Sequence, residues 1–476
     1  MREGKSRNWK FLVFFSVLFT LIIAGCSTSQ ESNQLEREKD REFDAGSGVK
    51  FSSLSEQKIE DLAKLSKVWG VVKYHHPKVI SGDINWDYEL FRIMPSILAE
   101  DSDVNSILYG WVHSLGSESI PGELEKEYQF SEDSIQLRPS TDWCKDEEYL
   151  GTDLSLELSK LLDSNISERE HAYVRFMEDS YYTFMDKENP YSNMNFDDTG
   201  YRLLSLFRYW NIIEYYYPYK DVIGEDWDQV LLDFIPKIID GSDYDSYFRT
   251  LAELTTKIHD SHAILVGKNR EVITDYYGTY RLPVNFIEIN NQIVISKVMN
   301  KCGLEVGDII LTVGDKSIDE LLEDRRKYIS QSREDTSSLF FLDLFRTEQK
   351  NTDVTVIRRG NRMNISAVGS QQDIYSRVDT KSQAMENGEI YYINVGLLKD
   401  GEIDKIMKKR WNTKGLIIDL RNYPSSIITY ELAKYLIPSE KVFATASAPN
   451  RAVPGEFYYF EPMISGKPQD SNNEVY

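Results

Sequence analysis

The sequence predicts a multidomain α+β protein, with helical modules in its N-terminal half, then a small β-rich unit, then the beginning of an α/β core built from βαβ units. Three observations predict it. An internal repeat with helical apolar spacing fills much of the first half, the pattern then turns to alternating β-branched residues, and the last ninety or so positions alternate strand-like and helix-like stretches. At 476 residues the chain has room for more than one core, and its 41% hydrophobic and 12% aromatic content describes folded protein over most of the length. The formal charge of −22 argues against nucleic acid as a partner, because an acidic surface repels phosphate.

The N-terminal segment carries an address. Arg2, Lys5, Arg7 and Lys10 precede the apolar run FLVFFSVLFTLIIAG, residues 11–25, which is short for a membrane span and has the shape of a secretory signal. The run closes in Ile23-Ala24-Gly25-Cys26, which resembles the bacterial lipoprotein processing box, where small residues precede a cysteine that receives lipid. Residues 1–25 are therefore expected to be a lipoprotein signal peptide, with Cys26 the first mature residue and the protein extracytoplasmic, anchored to a membrane on the periplasmic side or at the cell surface. Residues 26–50 contain few apolar side chains and read as a flexible tether. Cys144 and Cys302 lie too far apart for a metal-ligand spacing and imply no disulfide framework, although a single bridge between them stays open.

Residues 62–98 align without gaps to residues 203–239 at an offset of 141. Trp69 falls on Trp210, Tyr74 on Tyr215, Pro77 on Pro218, Trp86-Asp87 on Trp227-Asp228 and Pro95 on Pro236. We read a first helical module over 51–165, a connecting segment over 166–200 and a second module over 201–270. His75 and His76, which with His113 would invite a metal reading, correspond to Tyr216 and Tyr217, so an aromatic packing or surface role fits them better. The second module ends in KIHDSHAILVG, residues 257–267, whereas the first reads WVHSLGSESIPG at that place. Only one copy carries Asp-Ser-His.

Residues 275–370 read as the β-rich unit. Two strands meet at an Asn290-Asn291 turn, a Gly-rich turn leads into a buried strand, and a hairpin around Gly360 closes the unit. The pattern G-L-x-x-G-D-x-I-L-x-V, on Gly303, Leu304, Gly307 and Asp308, resembles a PDZ domain. That resemblance implies capture of an extended peptide by strand addition, often with a terminal carboxylate held by backbone N–H groups, and leaves open which loop would hold it. From residue 385 to 476, EIYYINVGLL, EIDKIMKKRW, KGLIIDLRNYPSS and IITYELAKYLIP alternate strand and helix, which indicates a parallel sheet. The charged turn that ends the third stretch, Asp419 to Ser426, lies just past the carboxyl end of its strand, where α/β enzymes place active-site backbone.

In this order the parts resemble the tail-specific, C-terminal-processing family of serine proteases, in its tricorn-like branch. The resemblance implies that His262 is the general base and Ser261 its neighbour in a Ser-His-Ser-Glu arrangement, and that the turn bearing Asp419, Arg421 and Asn422 contributes to an oxyanion hole. The family's glycine-containing stretch is NYPSS here, and Pro424 has no N–H to donate. In the family the nucleophilic serine and a later carboxylate follow beyond this point, so the 476 residues are expected to stop short of the nucleophile, as a fragment or as a natural product. The function implied is a lipid-anchored serine endopeptidase that cleaves unfolded or C-terminally exposed polypeptides and needs no cofactor and no metal. The alternative is a non-catalytic peptide-binding PDZ lipoprotein. A glycan-binding surface lipoprotein ranks last, because buried tyrosines and tryptophans account for the aromatic content without a ligand.

Overall fold

Helices and several mostly antiparallel sheets alternate along the chain in the computed structural model, which describes residues 35–51, 54–116, 126–176, 182–241, 243–332, 344–371, 378–410, 413–424 and 428–466. The architecture is multidomain α+β. The signal-like run and Cys26 lie outside the described residues. Among those described, no helix is long and apolar enough to cross a membrane.

The repeat has the same local physics in both copies. The helices Glu56–His75 and Thr199–Tyr216 start at Ser55 and Asp198, whose side chains accept from Lys58 N and Tyr201 N, and both stop short of a proline, Pro77 or Pro218. The following helices, Trp86–Leu98 and Trp227–Asp240, are capped in the same way by Asn85 and Asp226. Within each copy two tryptophans clasp the pair: Trp69 Nε1 donates to Trp86 O at 3.0 Å and Trp86 Nε1 to Trp69 O at 2.9 Å. Trp210 and Trp227 repeat the exchange at 2.7 and 3.1 Å. These bonds satisfy four buried indole N–H groups, which is why the tryptophans can be buried so fully.

The copies meet through equivalent residues, like the halves of a two-fold dimer fused in one chain. Lys67 pairs with Asp228 at 2.9 Å, and Arg208, which occupies the position of Lys67, pairs with Asp87, which occupies that of Asp228. Tyr74 meets its own equivalent, Tyr215, ring to ring at 5.3 Å. Gly70 meets its equivalent, Asn211: a Cβ on Gly70 would lie 1.7 Å from Asn211 Oδ1, so one of the two positions has to lack a side chain. Both copies contribute to one hydrophobic core running from Val49 to Ile258.

The segment expected as a free tether differs from Leu35 onward. Arg37 Nη1 donates to His171 O at 2.7 Å, Asp44 accepts from the Tyr88 hydroxyl at 2.6 Å, and Phe43 packs edge-on against Tyr88 and Phe91. One aromatic anchor and several charged partners distant in sequence hold it down, and composition alone shows neither.

The β-rich unit has a central antiparallel path in the order Asn361–Val368, Asn351–Arg358, Ile309–Val313, Gln292–Val298, Val284–Ile289. Asn290 and Asn291 both take positive φ, 50° and 60°, as the turn between the last two strands requires. The helix Ile318–Arg326, opened by a Ser317/Glu320 capping box, covers the sheet over a core that includes Leu282, Ile310, Val354 and Val356. Next comes one βαβ unit, with Ile390–Asn394 parallel to Gly415–Asp419 and the helix Glu402–Arg410 between them.

The last described elements depart from the expected α/β core. Lys441–Pro449 and Phe457–Ser465 form an antiparallel hairpin that pairs with Ile135–Leu137 of the first module. Gly455 N donates to Tyr215 O at 2.9 Å and Arg169 Nε to Arg451 O at 2.8 Å, so the hairpin is bonded to the helical region. A three-residue strand whose partner lies more than three hundred positions away leaves no local signal.

Candidate active site

The Asp-Ser-His stretch follows the helix Tyr244–Thr256 as a tight turn. His259 has a φ of 49°, which turns the chain sharply, and its N–H returns to Thr256 O at 3.1 Å. One carboxylate oxygen of Asp260 then accepts from two donors of His262: the backbone N–H at 2.9 Å and ring Nδ1 at 3.0 Å. A carboxylate oxygen can only accept, so Nδ1 is the donor of this bond. The Tyr217 hydroxyl sits 3.5 Å from the other oxygen of Asp260. The His262 side chain is 96% exposed, and among the described residues nothing bonds its Nε2. Asp260 is the residue sequence reasoning left without a role; the signal was its place two positions before a histidine in a turn, where an Asx side chain folds back on the chain.

Ser261 is engaged elsewhere. Its N–H donates to Ser332 Oγ at 2.9 Å, Ser332 N–H donates to Ser261 Oγ at 2.9 Å, and the hydroxyls lie 3.1 Å apart. The serine expected to flank the base therefore staples its loop to the β-rich unit. His259 Nε2 and Lys257 Nζ stand 3.2 and 3.5 Å from Glu225 Oε1. Beside the turn opens a cleft of about 420 Å³, lined by Asp260, His262 and Ser332 together with Tyr217, Val222 and Ile223.

The turn after Gly415–Asp419 is a closed polar knot. Asp419 accepts from the Tyr392 hydroxyl, from Arg421 N at 3.0 Å and from the Arg421 guanidinium at 2.6 to 3.1 Å. The Arg421 bonds, aided by Tyr392 against the penalty of burial, hold the Asp419 carboxyl well below its ordinary range. Asn422 is buried, donates to Val378 O at 2.8 Å and accepts from Val378 N at 3.0 Å. These side chains fix the backbone of the turn, and Leu420 and Tyr423 project into solvent from it. Among the described residues no hydrogen bond or ion pair joins Asp419, Arg421 or Asn422 to His262.

Gly303, Leu304, Gly307 and Asp308 form a turn whose glycines have φ of 95° and 91° and whose leucine is buried. Asp308 is buried too and receives Arg358 Nε and Nη2, both at 2.7 Å, and Glu305 N at 2.8 Å. Burial pushes its carboxyl up, but the Arg358 and backbone bonds outweigh that and lower it. The motif thus locks the turn to the strand Asn351–Arg358.

The histidines considered for a metal are spread apart in role. Nδ1 of buried His75 bonds Val71 O at 2.9 Å, His76 accepts from Lys78 N at 3.2 Å, and exposed His113 stands 3.7 Å from Glu157. Among the described residues no group of three His, Cys, Asp or Glu side chains is placed to hold a metal ion. Cys144 and Cys302 are both buried free thiols.

No family model matches the chain, and no curated protein matches it. Solved structures similar to it include mature CPAF, at 14% identity and a TM-score of 0.36 over 51% of this chain and 59% of that one. A serine-to-alanine mutant of CPAF is similar at 14% identity and a TM-score of 0.38 over 52% of this chain and 61% of that one. The chain thus spans 59 to 61% of the length of these two proteins, and at such TM-scores the reading of the site rests on the residues above.

Proposed function

We propose that this chain carries the general base of a serine endopeptidase, His262, positioned by Asp260, and that it acts on unfolded or C-terminally exposed polypeptides from a lipid anchor at Cys26. The observation that carries the reading is the Nδ1 bond to Asp260, which makes Nδ1 the donor nitrogen of a ring lining a cleft and Nε2 the nitrogen that would take up a proton. A serine hydroxyl attacks a peptide carbonyl only as a base removes its proton. The same base must then return that proton to the leaving amine. The carboxylate of Asp260 would hold the ring in the required tautomer and stabilise the imidazolium formed during attack, the task of a triad's third member. The nucleophile and the oxyanion donors that complete the site would come from residues outside those described. No metal or cofactor enters this mechanism.

The test uses the full-length protein, prepared from membranes, with an unfolded fluorescent polypeptide as substrate. His262→Ala is expected to lower kcat/KM by about 10²- to 10⁴-fold while a chelator changes nothing. Cys26→Ser is expected to release the protein from the membrane. Full hydrolysis by His262→Ala would overturn the assignment. A second reading, a peptide-binding protein without catalysis, is supported by the outer strand Val284–Ile289, where Ile287 and Ile289 are exposed on the edge of the sheet. Binding without turnover would establish it.

A further inference from the structure

The proline-terminated turn that follows the first helix of each copy has two different fates. In the first copy it is covered. Leu35 packs on Gly82, where an added Cβ would come within 3.0 Å of its Cδ1, and Arg37 N–H donates to Gly82 O at 3.0 Å. A piece of polypeptide therefore sits on that turn with one apolar side chain down and one backbone hydrogen bond made. Gly82 corresponds to Ile223 of the second copy, and Ser81 to Val222.

In the second copy the equivalent turn is tied at its start, where Gln136 Nε2 donates to Pro218 O and Lys220 Nζ to Ser140 Oγ, both at 2.8 Å, but its Val222–Ile223 end is more apolar and borders a cleft. Ile223 and Ile258 are buried at the floor of the cleft, Tyr217 and Tyr219 meet edge to face at 5.9 Å on its wall, and Val222 is 69% exposed at its rim. Asp260 and His262 also line it. Its volume of about 420 Å³ lies within the range of ordinary ligand pockets, and burial of one large side chain there would remove apolar surface of both partners from water. The carboxyl group of Asp260 in its lining disfavours an acidic occupant.

We propose that this cleft is a substrate subsite that seats a bulky apolar side chain, such as Phe, Leu or Met, of an extended polypeptide lying across His262, in the way Leu35 is seated on the first copy. The proposal rests on the serine endopeptidase reading for what happens next to the subsite, but not for the binding itself.

The experiment measures binding of fluorescent peptides to the full chain by anisotropy, with pairs that differ only in Phe against Ser at one position. The Phe peptide is expected to bind about 10- to 100-fold more tightly. Val222→Asp is expected to abolish the preference and Val222→Ile to keep it, with circular dichroism confirming that both variants fold; Tyr219→Ser serves as a second probe of the same wall. Equal binding of both peptides, or a preference that survives Val222→Asp and Tyr219→Ser, overturns the subsite. Preferential binding with no hydrolysis by the full-length protein leaves the subsite standing and removes the peptidase reading. His262-dependent hydrolysis that is indifferent to Phe or Ser does the reverse.

Discussion

Two histidines in this chain have opposite surroundings, and the contrast separates structure from chemistry. His262 stands in solvent with one ring nitrogen held by a carboxylate two positions earlier. His75 is buried beneath the Tyr215 ring, 5.8 Å between centroids, and donates to the Val71 carbonyl. Burial first, and then the nearby Arg169 guanidinium, push the His75 imidazolium down from 6.5 to about 3, against the Val71 bond. Between those values the unfolded chain takes up a proton that the native chain refuses, so this contribution to stability is complete above pH 6.5 and is lost as pH falls toward 3, by at most about 1.4 kcal/mol per pH unit. The second copy has Tyr216 at this position. His75→Tyr is therefore expected to flatten the fall in urea midpoint between pH 7 and pH 4.5; an unchanged fall would place the acid sensitivity elsewhere. His75 was readable as a packing residue because its equivalent is aromatic. The role of Asp260 was not, since a ring's orientation depends on a turn geometry that spacing does not specify.

At the scale of elements, the sequence is most legible where partners are near. The capped helices, the Asn290-Asn291 hairpin and the single βαβ unit all follow from periodicity and turn residues within a dozen or so positions. The Ser261–Ser332 staple spans 71 positions, and the strand Ile135–Leu137 finds its partner at Phe457–Ser465. Neither has a local pattern, because each is selected by packing of parts that fold separately in sequence. The Gly303–Asp308 motif was legible as a turn, but the ion pair that fixes it joins Asp308 to Arg358 on the neighbouring strand, 50 positions later in sequence.

At the scale of the molecule, the duplicated helices show how one interface can be symmetric in contact and asymmetric in energy. Asp87 is buried with Arg208, and Lys73 joins them at 3.5 Å from Asp87 and 2.6 Å from Glu188 of the connecting segment. Burial pushes the Asp87 carboxyl up, and Arg208 and then Lys73 outweigh it and hold it down. Its equivalent, Asp228, has a side chain 61% exposed beside Lys67. Asp87→Asn leaves buried cations poorly opposed and is expected to cost about 3–5 kcal/mol, whereas Asp228→Asn is expected to cost less than about 1 kcal/mol. Equal losses in urea denaturation would mean that the buried cluster adds nothing beyond the surface pair. The same asymmetry reaches the two turns: Leu35 packs on Gly82 in the first, whereas its equivalent Ile223 lines a cleft together with His262.

The Asp260 bond to His262 Nδ1, on which the proposed general base depends, can be tested without knowing the nucleophile. The measurement is the ¹⁵N signature of the His262 imidazole in the folded chain, at a pH where the ring is neutral, compared with Asp260→Ala and Ser261→Ala. The geometry predicts the Nδ1–H tautomer in the wild type and in Ser261→Ala, and its loss in Asp260→Ala. The Nε2–H tautomer in the wild type, or one tautomer unchanged in all three proteins, would contradict it.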